Sequence, residues 1–479
     1  MGGFSTAVLL LGYTSQAVAQ TQPAAQPSDV EALRAELRQL REELEAVKQG
    51  KKAPATGAAA SAPDQDSPVE ERLDSVEVKQ QDSVVKGDIP GSFRVPGTDI
   101  SLRVYGWAEL NWIHDFKGDP TDVDYATFTP YSPLEGTPGA ARTHRDYLHA
   151  RTTRFGIEGG VPTRYGLLGV KIEGDFNNEP RTGNTAQYGS GGNVFTQLLT
   201  SSYGFRLRHA YGQFGGLLIG QSWSTFMDLD NYPETVDFNG PMGATIIRQP
   251  QIRYSYITGS AGTFTAALEN SVSYVLGSDG NPIASSLSRM PDLILRWDKR
   301  FGWGAVSVRG VTHELRVNNG ESVNATKRGY GGALSGHVKV RSDDILSFGF
   351  TGGEGMGRYL FWSEGAIYNP TANDISIEKA VGIIAGYQFK PTSWLRLNLV
   401  YGMTRNFDDD FTALAADLGL NSGRFAVNRF SQQVNFGPIF TPVKSVDLGI
   451  EGSWGERETL VGQKGYLTRL NFMARYYIN

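Results

Sequence analysis

Residues 169–175, Gly-Val-Lys-Ile-Glu-Gly-Asp, switch between apolar and charged side chains one position at a time. Successive side chains of a β-strand point to opposite faces, so the apolar residues Val170 and Ile172 share one face. The other face carries Lys171, Glu173 and Asp175. This stretch therefore predicts a strand with one apolar side and one charged side.

The same pattern recurs from Leu102 to Ile478 in runs of about ten residues. Sixteen such runs can be counted, joined alternately by seven short turns and eight long polar loops. An even strand number, with short turns on one rim and long loops on the other, is typical of bacterial transmembrane barrels. The sequence therefore predicts an all-β fold, a 16-stranded antiparallel transmembrane β-barrel of the porin type over residues 91–479.

Two of the eight long loops are predicted between the strands at 303–314 and 329–341, and between the strands at 444–455 and 466–478.

The last run, at the C-terminus, supports the barrel interpretation independently. The final strand alternates apolar residues at Leu470, Phe472, Ala474, Tyr476 and Ile478. This period matches the C-terminal signal of outer-membrane barrels, although that signal usually ends on an aromatic residue and this chain ends on Asn479.

The charged faces of the strands predict a wet interior. A soluble sandwich would turn its apolar faces inward, whereas here Arg and Lys recur on a single face through many strands. The basic residues predicted to line the pore are Arg154, Arg206, Arg208, Arg253 and Arg296. Because sixteen strands enclose more space than side chains can fill, the sequence predicts a water-filled channel.

Composition excludes several other classes. After the N-terminus, the 479 residues contain no apolar stretch of 18 or more, which excludes a helical membrane protein. Lys and Arg are spread through the strands, so no nucleic-acid partner is expected. With no cysteine and six histidines outside any metal-ligand or hydrolase spacing, we expect no enzyme, no cofactor and no metal site. The alternative is that the loop acids at 408–410, and those at 119, 122 and 124, hold Ca²⁺ rather than being simply solvated.

The first residues predict an export signal. A short apolar segment at 7–12 is followed by Ala17-Val18-Ala19, a small-x-small site that predicts cleavage before Gln20. Residues 1–19 are therefore predicted to be a signal peptide. No Lys or Arg precedes the apolar segment, so a frayed apolar N-terminus or a misplaced start remains the alternative.

The next segment, residues 28–50, predicts a coiled coil. Apolar residues at heptad positions a and d are Val30, Leu33, Leu37, Leu40, Leu44 and Val47. Ser28 and Glu31 form a capping box that would start the helix, and the flanking charges favour parallel self-association. A single amphipathic helix is the alternative. Residues 51–90 are poor in large apolar side chains and predict a flexible linker, which would hold the helix in the periplasm.

Five short motifs carry a family resemblance. They are PGSFRVPGT at 90–98, RTTRFG at 151–156, GQSWSTFMD at 220–228, YPE at 232–234 and DFNGP at 237–241. These motifs, with a helix ahead of a sixteen-stranded barrel, resemble the DcaP-like trimeric outer-membrane porins. The resemblance implies a homotrimer in outer-membrane lipid, a third loop folded into the lumen, and passive uptake of small solutes, with a leaning towards anionic solutes such as dicarboxylates.

On that view the third long loop, Trp223 to Ile247, forms the constriction. Its acidic residues are Asp228, Asp230, Glu234 and Asp237. Carboxylates facing guanidinium groups in a narrow wet gap would sort solutes by charge. The inward basic residues outnumber the inward acids and favour anions, whereas the acidic loop argues for cations, and the arginines could merely neutralise the acids. A structural or adhesin barrel with a periplasmic tether is the second functional class.

Overall fold

The described part of the chain forms two units in a computed structural model. The described residues are 38, 42, 85–118, 127–178, 204–341, 343–361, 363–420 and 426–478. Of these, residues 38, 42, 85–87 and 93–99 belong to the first unit, and 88–92 with all those from 100 onwards belong to the second. The predicted signal peptide, all six predicted coiled-coil core residues and most of the predicted linker lie outside the described residues.

In the first unit, Arg38 and Glu42 are helical, and two short strands pair antiparallel, β1 (Val85–Lys86) and β2 (Phe93–Arg94). The second unit contains the remaining strands. These are β3 (Ser101–Lys117), β4 (Thr143–His149), β5 (Arg154–Thr163), β6 (Gly166–Asp175), β7 (Arg206–Phe214), β8 (Leu217–Trp223), β9 (Arg248–Ile257), β10 (Thr263–Glu269), β11 (Asp292–Phe301), β12 (Gly304–Asn318), β13 (Asn324–Lys339), β14 (Ile345–Glu354), β15 (Ala366–Asn369), β16 (Asp374–Ile377), β17 (Lys379–Thr392), β18 (Leu395–Asn406), β19 (Asn428–Val443), β20 (Val446–Thr459) and β21 (Lys464–Ile478).

All strands of the second unit except the small hairpin β15–β16 form one closed antiparallel sheet. β4 and β5 together occupy one strand position of the barrel. Both pair with β3, β4 along its C-terminal half and β5 along its N-terminal half. The last strand, β21, also pairs with β3 and closes the barrel. The predicted 16-stranded antiparallel barrel is thereby confirmed.

The two rims of the barrel differ in the connections between their strands. The short-turn rim carries the turns at 164–165, 215–216, 258–262, 302–303, 340–344, 393–394 and 444–445. The long-loop rim carries the connections that follow, given by their described residues: loop 1 (118 and 127–142), loop 2 (176–178 and 204–205), loop 3 (224–247), loop 4 (270–291), loop 5 (319–323), loop 6 (355–361 and 363–378), loop 7 (407–420 and 426–427) and loop 8 (460–463). The seven short turns agree with the sequence prediction, but loops 5 and 8 are short, so the prediction of eight long loops was wrong.

The error at loop 5 has a physical cause. β12 and β13 continue past the predicted strand ends, and there the alternation is inverted, with Leu315 and Val317 buried on the inward side. Outward positions Arg316 and Asn318 are polar. A strand that rises above the apolar band has water outside and packed loops inside, so it no longer shows the pattern used to find strands.

Below that height the predicted alternation holds. Val170 and Ile172 are 49% and 53% exposed, whereas Glu173 and Asp175 on the same strand are buried. Large apolar side chains are exposed in the same way on other strands, including Ile252, Tyr254, Leu295 and Leu399. The outer surface of the barrel is therefore an apolar belt, as a lipid-facing surface requires.

Loops 4, 6 and 7 contribute to two small hydrophobic clusters at the long-loop rim. One includes Val275, Ala366 and Leu315 of β12, and the other includes Phe411 and Val427. Loop 7 contains helix α1 (Asp410–Asp417), whose N-cap Asp409 accepts hydrogen bonds from the backbone of Phe411 and Thr412. The acidic run considered for Ca²⁺ thus includes a helix cap. No helix among the described residues is long and apolar enough to cross a membrane.

Candidate functional site

Loop 3 lies inside the barrel and follows one half of its wall. Starting from β8, its side chains and backbone contact inward residues of β11, β12, β13, β17, β18 and β20 in turn. The loop therefore covers the wall on that side. The inward face of β5 to β10 borders the open part of the lumen.

Inward glycines make room for the loop. Gly382 on β17 and Gly402 on β18 lie directly against the loop backbone at Gly243 and Met242. A side chain at either wall position would collide with that backbone. Gly243 also has a φ of +89°, a conformation that other residues rarely adopt. The sequence thus shapes both the loop and the wall for close contact.

The base of loop 3 is held by an apolar anchor and a charged one. Phe226 is fully buried against Tyr359 of loop 6 and inward apolar wall residues. Asp228 is also buried and accepts hydrogen bonds from the Ser335 hydroxyl and from Arg296 at 3.3 Å. This half of the barrel is therefore filled with apolar as well as polar side chains, which the prediction of a charged interior did not include.

The middle of the loop is fixed by two more ion pairs. Asp230 lies 2.7 Å from the Arg300 guanidinium near the short-turn rim. Glu234 accepts two hydrogen bonds from Arg396, at 2.7 Å and 2.9 Å. A forked pair of this kind fixes the carboxylate in direction as well as position.

The end of the loop binds the opposite wall through its backbone. The Glu451 carboxylate on β20 accepts from the backbone N–H groups of Val236 and Asp237, at 2.8 Å and 2.9 Å. Asp237 in turn accepts from the backbone and hydroxyl of Thr127 in loop 1. All four predicted constriction-loop carboxylates are consequently engaged with the protein.

An open cavity of about 810 Å³ lies between loop 3 and the wall from β5 to β11, towards the short-turn rim. Its cationic lining residues are Arg154, Lys171, Arg253, Arg296, Lys299 and Arg300. Its carboxylates are Glu173, Asp230 and Asp298. Six cationic side chains against three carboxylates give this part of the lumen a positive field.

The five predicted basic residues separate into two groups. Arg154, Arg253 and Arg296 line the cavity. Arg206 and Arg208 are instead bound to inward carboxylates of β6, with Asp175 accepting from both at 2.8 Å. The Arg206 guanidinium also lies 5.6 Å from the ring of Phe238 at the end of loop 3, so it borders the gap between loop and wall.

Among the cavity arginines, Arg253 is the least neutralised. Within the described ranges no carboxylate lies within 4.0 Å of it, and its hydrogen bond to the Gln251 side chain is 3.5 Å long. Arg154 lies 3.6 Å from Glu173 and stacks on Trp107, with 4.0 Å from guanidinium to ring centre. Both guanidinium groups retain N–H groups that a solute carboxylate can bind.

Two further arginines were absent from the predicted set. Arg248 stacks on Trp223 at 3.5 Å and lies in the positive field of Arg154, Arg206 and Arg208. Arg475 binds Glu109 at 2.6 Å, and its guanidinium lies 4.9 Å from the centre of the Trp107 ring. The alternation of β21 would have indicated Arg475, whereas Arg248 sits at a loop boundary where alternation gives no signal.

Loops 1 and 6 meet at the long-loop rim through a carboxyl group. The Tyr131 hydroxyl donates a hydrogen bond to Glu364. Burial and the neighbouring Glu378 carboxylate raise the pKa of Glu364 to about 7. Burial also raises the pKa of Glu378, which accepts from the backbone N–H of Gly365 at 2.7 Å. Burial at this rim thus favours the neutral form of both carboxyl groups, because each charged form loses hydration.

The part of the chain that the structure describes contains no cluster of metal-ligating side chains. No group of three or more His, Asp and Glu side chains there could hold an ion. The arrangement instead offers a wet passage with fixed charges.

The chain is similar to known outer-membrane proteins in both sequence and structure. A family model described as DcaP outer membrane protein matches residues 75–478. Porin Omp2b of Brucella melitensis biotype 1 is 28% identical over 220 residues, 45% of this chain and 52% of that protein. The chain thus spans about half the length of the curated relatives it matches. The outer membrane channel DcaP of Acinetobacter baumannii has a TM-score of 0.67 and 24% identity, covering 82% of this chain and 100% of that one.

Proposed function

The chain belongs to the DcaP outer membrane protein family, and from this premise we propose that it forms a water-filled channel in the bacterial outer membrane. Small solutes would cross it by passive diffusion, with a preference for anions of the dicarboxylate kind. One observation carries this proposal. The acids of loop 3 are engaged by the protein, while the open cavity beside the loop has six cationic side chains and three carboxylates.

The geometry supports a simple mechanism for anion passage. A carboxylate entering the cavity meets guanidinium groups on one wall, and each can offer two parallel N–H donors. Arg154 and Arg253 are incompletely neutralised, so they can replace part of the hydration shell that the anion loses. Because several such groups follow one another, a solute with two carboxylates can hold one while releasing the next. Binding then stays weak enough for release.

Ion selectivity tests this proposal. In a planar bilayer under a KCl gradient, the purified full-length protein should give a reversal potential of anion-selective sign, because chloride is favoured where the lining is positive. Liposomes containing the protein should also swell faster in a small dicarboxylate than in a cationic solute of similar size. A cation-selective reversal potential would contradict the proposal.

We also propose that the chain is a homotrimer whose helical segment 28–50 self-associates in the periplasm. The support is the heptad pattern and its complementary flanking charges. Deleting residues 30–49 should reduce the trimer fraction, measured by native mass spectrometry, because the apolar seam between helices is lost. The truncated barrel should still conduct in bilayers. An unchanged trimer fraction would show that the helix is not what joins the subunits.

A further inference from the structure

Outward side chains at the top of β12 and β13 change from apolar to polar and charged. Val308 and Leu334 belong to the apolar belt and are 44% and 43% exposed. Further up the same outer face, towards the long-loop rim, β12 carries Arg316 and β13 carries Arg328. Arginines at this height lie where an apolar lipid layer would meet its headgroups.

Loop 4 adds a third arginine and binds a carboxylate. The Arg289 guanidinium lies 2.7 Å from Glu314, an outward residue of β12, and the Arg289 backbone N–H donates to the same carboxylate at 2.8 Å. Glu314 thereby forms its close ion pair with Arg289, and Arg316 also contributes a favourable Coulomb interaction. Its cross-strand neighbour is Arg328.

The other two arginines form no ion pair within 4.0 Å with any carboxylate of the described residues. Within the described residues, Arg316 donates to the Leu287 carbonyl at 3.4 Å and its buried Nε has no hydrogen-bond partner. Arg328 donates to the Thr312 hydroxyl at 3.3 Å and contacts the Met290 sulfur. Three guanidinium groups against one carboxylate leave the patch with two positive charges in excess.

Apolar side chains surround these arginines on the outside. Leu287 and Met290 of loop 4 are 60% and 46% exposed, and Leu293 and Leu295 continue the apolar surface below them. The patch thus places exposed apolar side chains directly beside positively charged guanidinium groups. It matches a molecule with a phosphate above and hydrocarbon chains below.

We propose that this patch, formed by Arg289, Arg316 and Arg328 with Leu287 and Met290, binds the phosphorylated headgroup of an outer-leaflet lipid. The proposal rests on the membrane location in the proposed function. Arg316 and Arg328 bind the phosphate directly, because neither guanidinium group is held in a close ion pair by a carboxylate of the described residues. Arg289 mainly holds loop 4 against β12 through Glu314. The acyl chains lie along the outward residues of β11 to β13.

Lipid retention tests the site, with diphosphoryl lipid A as the probe. Full-length protein in detergent is titrated with lipid A and the bound lipid is counted by native mass spectrometry. The variant R316Q/R328Q should bind lipid A about ten- to thirtyfold more weakly, since each basic residue near an anionic lipid surface contributes about tenfold or less. Arg289 is kept because its loss would leave the Glu314 carboxylate unpaired.

The matched control removes two arginines from the opposite rim. Arg164 and Arg341 are exposed in short turns, so R164Q/R341Q should retain lipid A like the unchanged protein. Phosphatidylcholine should be retained equally by all three proteins. Equal lipid A binding by R316Q/R328Q would overturn the proposal, and so would full displacement of lipid A by millimolar inorganic phosphate. Conductance recorded on the same preparations separates failure of the lipid site from failure of the channel.

Discussion

Replacing Arg154 and Arg253 by glutamate should convert the channel from an anion-preferring into a cation-preferring one. Both side chains line the cavity beside loop 3, and neither is fully neutralised by a carboxylate. In the variant R154E/R253E the cavity would have four cationic side chains and five carboxylates in place of six and three. The sign of the field that a passing ion meets would therefore change.

The expected size follows from the Coulomb energy. A unit charge about 10 Å from an ion, in a water-like dielectric, changes its energy by about 0.4 kcal/mol. Four units of changed charge thus amount to about 1.6 kcal/mol before screening, which reduces the effect at about 0.1 M salt. The chloride-to-potassium permeability ratio should fall by about three- to tenfold, as determined from the reversal potential under a KCl gradient.

Two control variants test whether the effect depends on the amount of charge and on its position in the cavity. R154Q/R253Q removes the same positive charges without adding negative ones and should give an intermediate reversal potential. R164E/R341E makes the same charge change in turns of the short-turn rim, outside the residues that line the cavity, and should have a much smaller effect. If R154E/R253E conducts with the original reversal potential, the cavity does not determine selectivity.

The barrel itself could be predicted because one physical rule governs every spanning strand. Lipid outside and water inside force side chains such as Val170 and Lys171 to alternate, and a closed sheet then follows from the strand count. The rule fails where its cause is absent. At Leu315 and Val317 the strand lies above the apolar belt and packs against loops, so the inward side becomes apolar.

The candidate site was predicted less completely, because pairing depends on distances between residues far apart in sequence. Alternation placed Arg206 and Arg253 on the same face, but only the structure shows that Asp175 engages the first and that the second has no carboxylate partner in the described chain. Similarly, the acids of loop 3 could not be assigned to the wall before their partners Arg300 and Arg396 were located.

Removing the Glu451 carboxylate should release the end of loop 3 and widen the passage. This side chain is the acceptor for two backbone N–H groups of the loop, at Val236 and Asp237. A buried N–H group left without an acceptor costs about 1–3 kcal/mol, so E451A weakens the attachment by several kcal/mol. The loop would then leave the position in which Phe238 lies close to Arg206.

Single-channel recording should show this release directly. In E451A we expect the conductance to rise by roughly 1.5- to 2-fold, with more open-channel noise from the moving loop. E451Q keeps one acceptor oxygen and should lie between. E456A removes a carboxylate from the outward face of the same strand, where Lys464 is its partner at 2.7 Å, and should leave the conductance unchanged.

Thiol chemistry gives a second measure of the same motion. The chain has no cysteine, so F238C introduces a single thiol at the end of loop 3. This thiol should react with a small charged thiol reagent several-fold faster in E451A/F238C than in F238C alone, because a released loop exposes it more often. Equal reaction rates together with unchanged conductance would show that the anchors at Asp228 and Glu234 hold the loop without Glu451, and that its end is fixed by the wall contacts there.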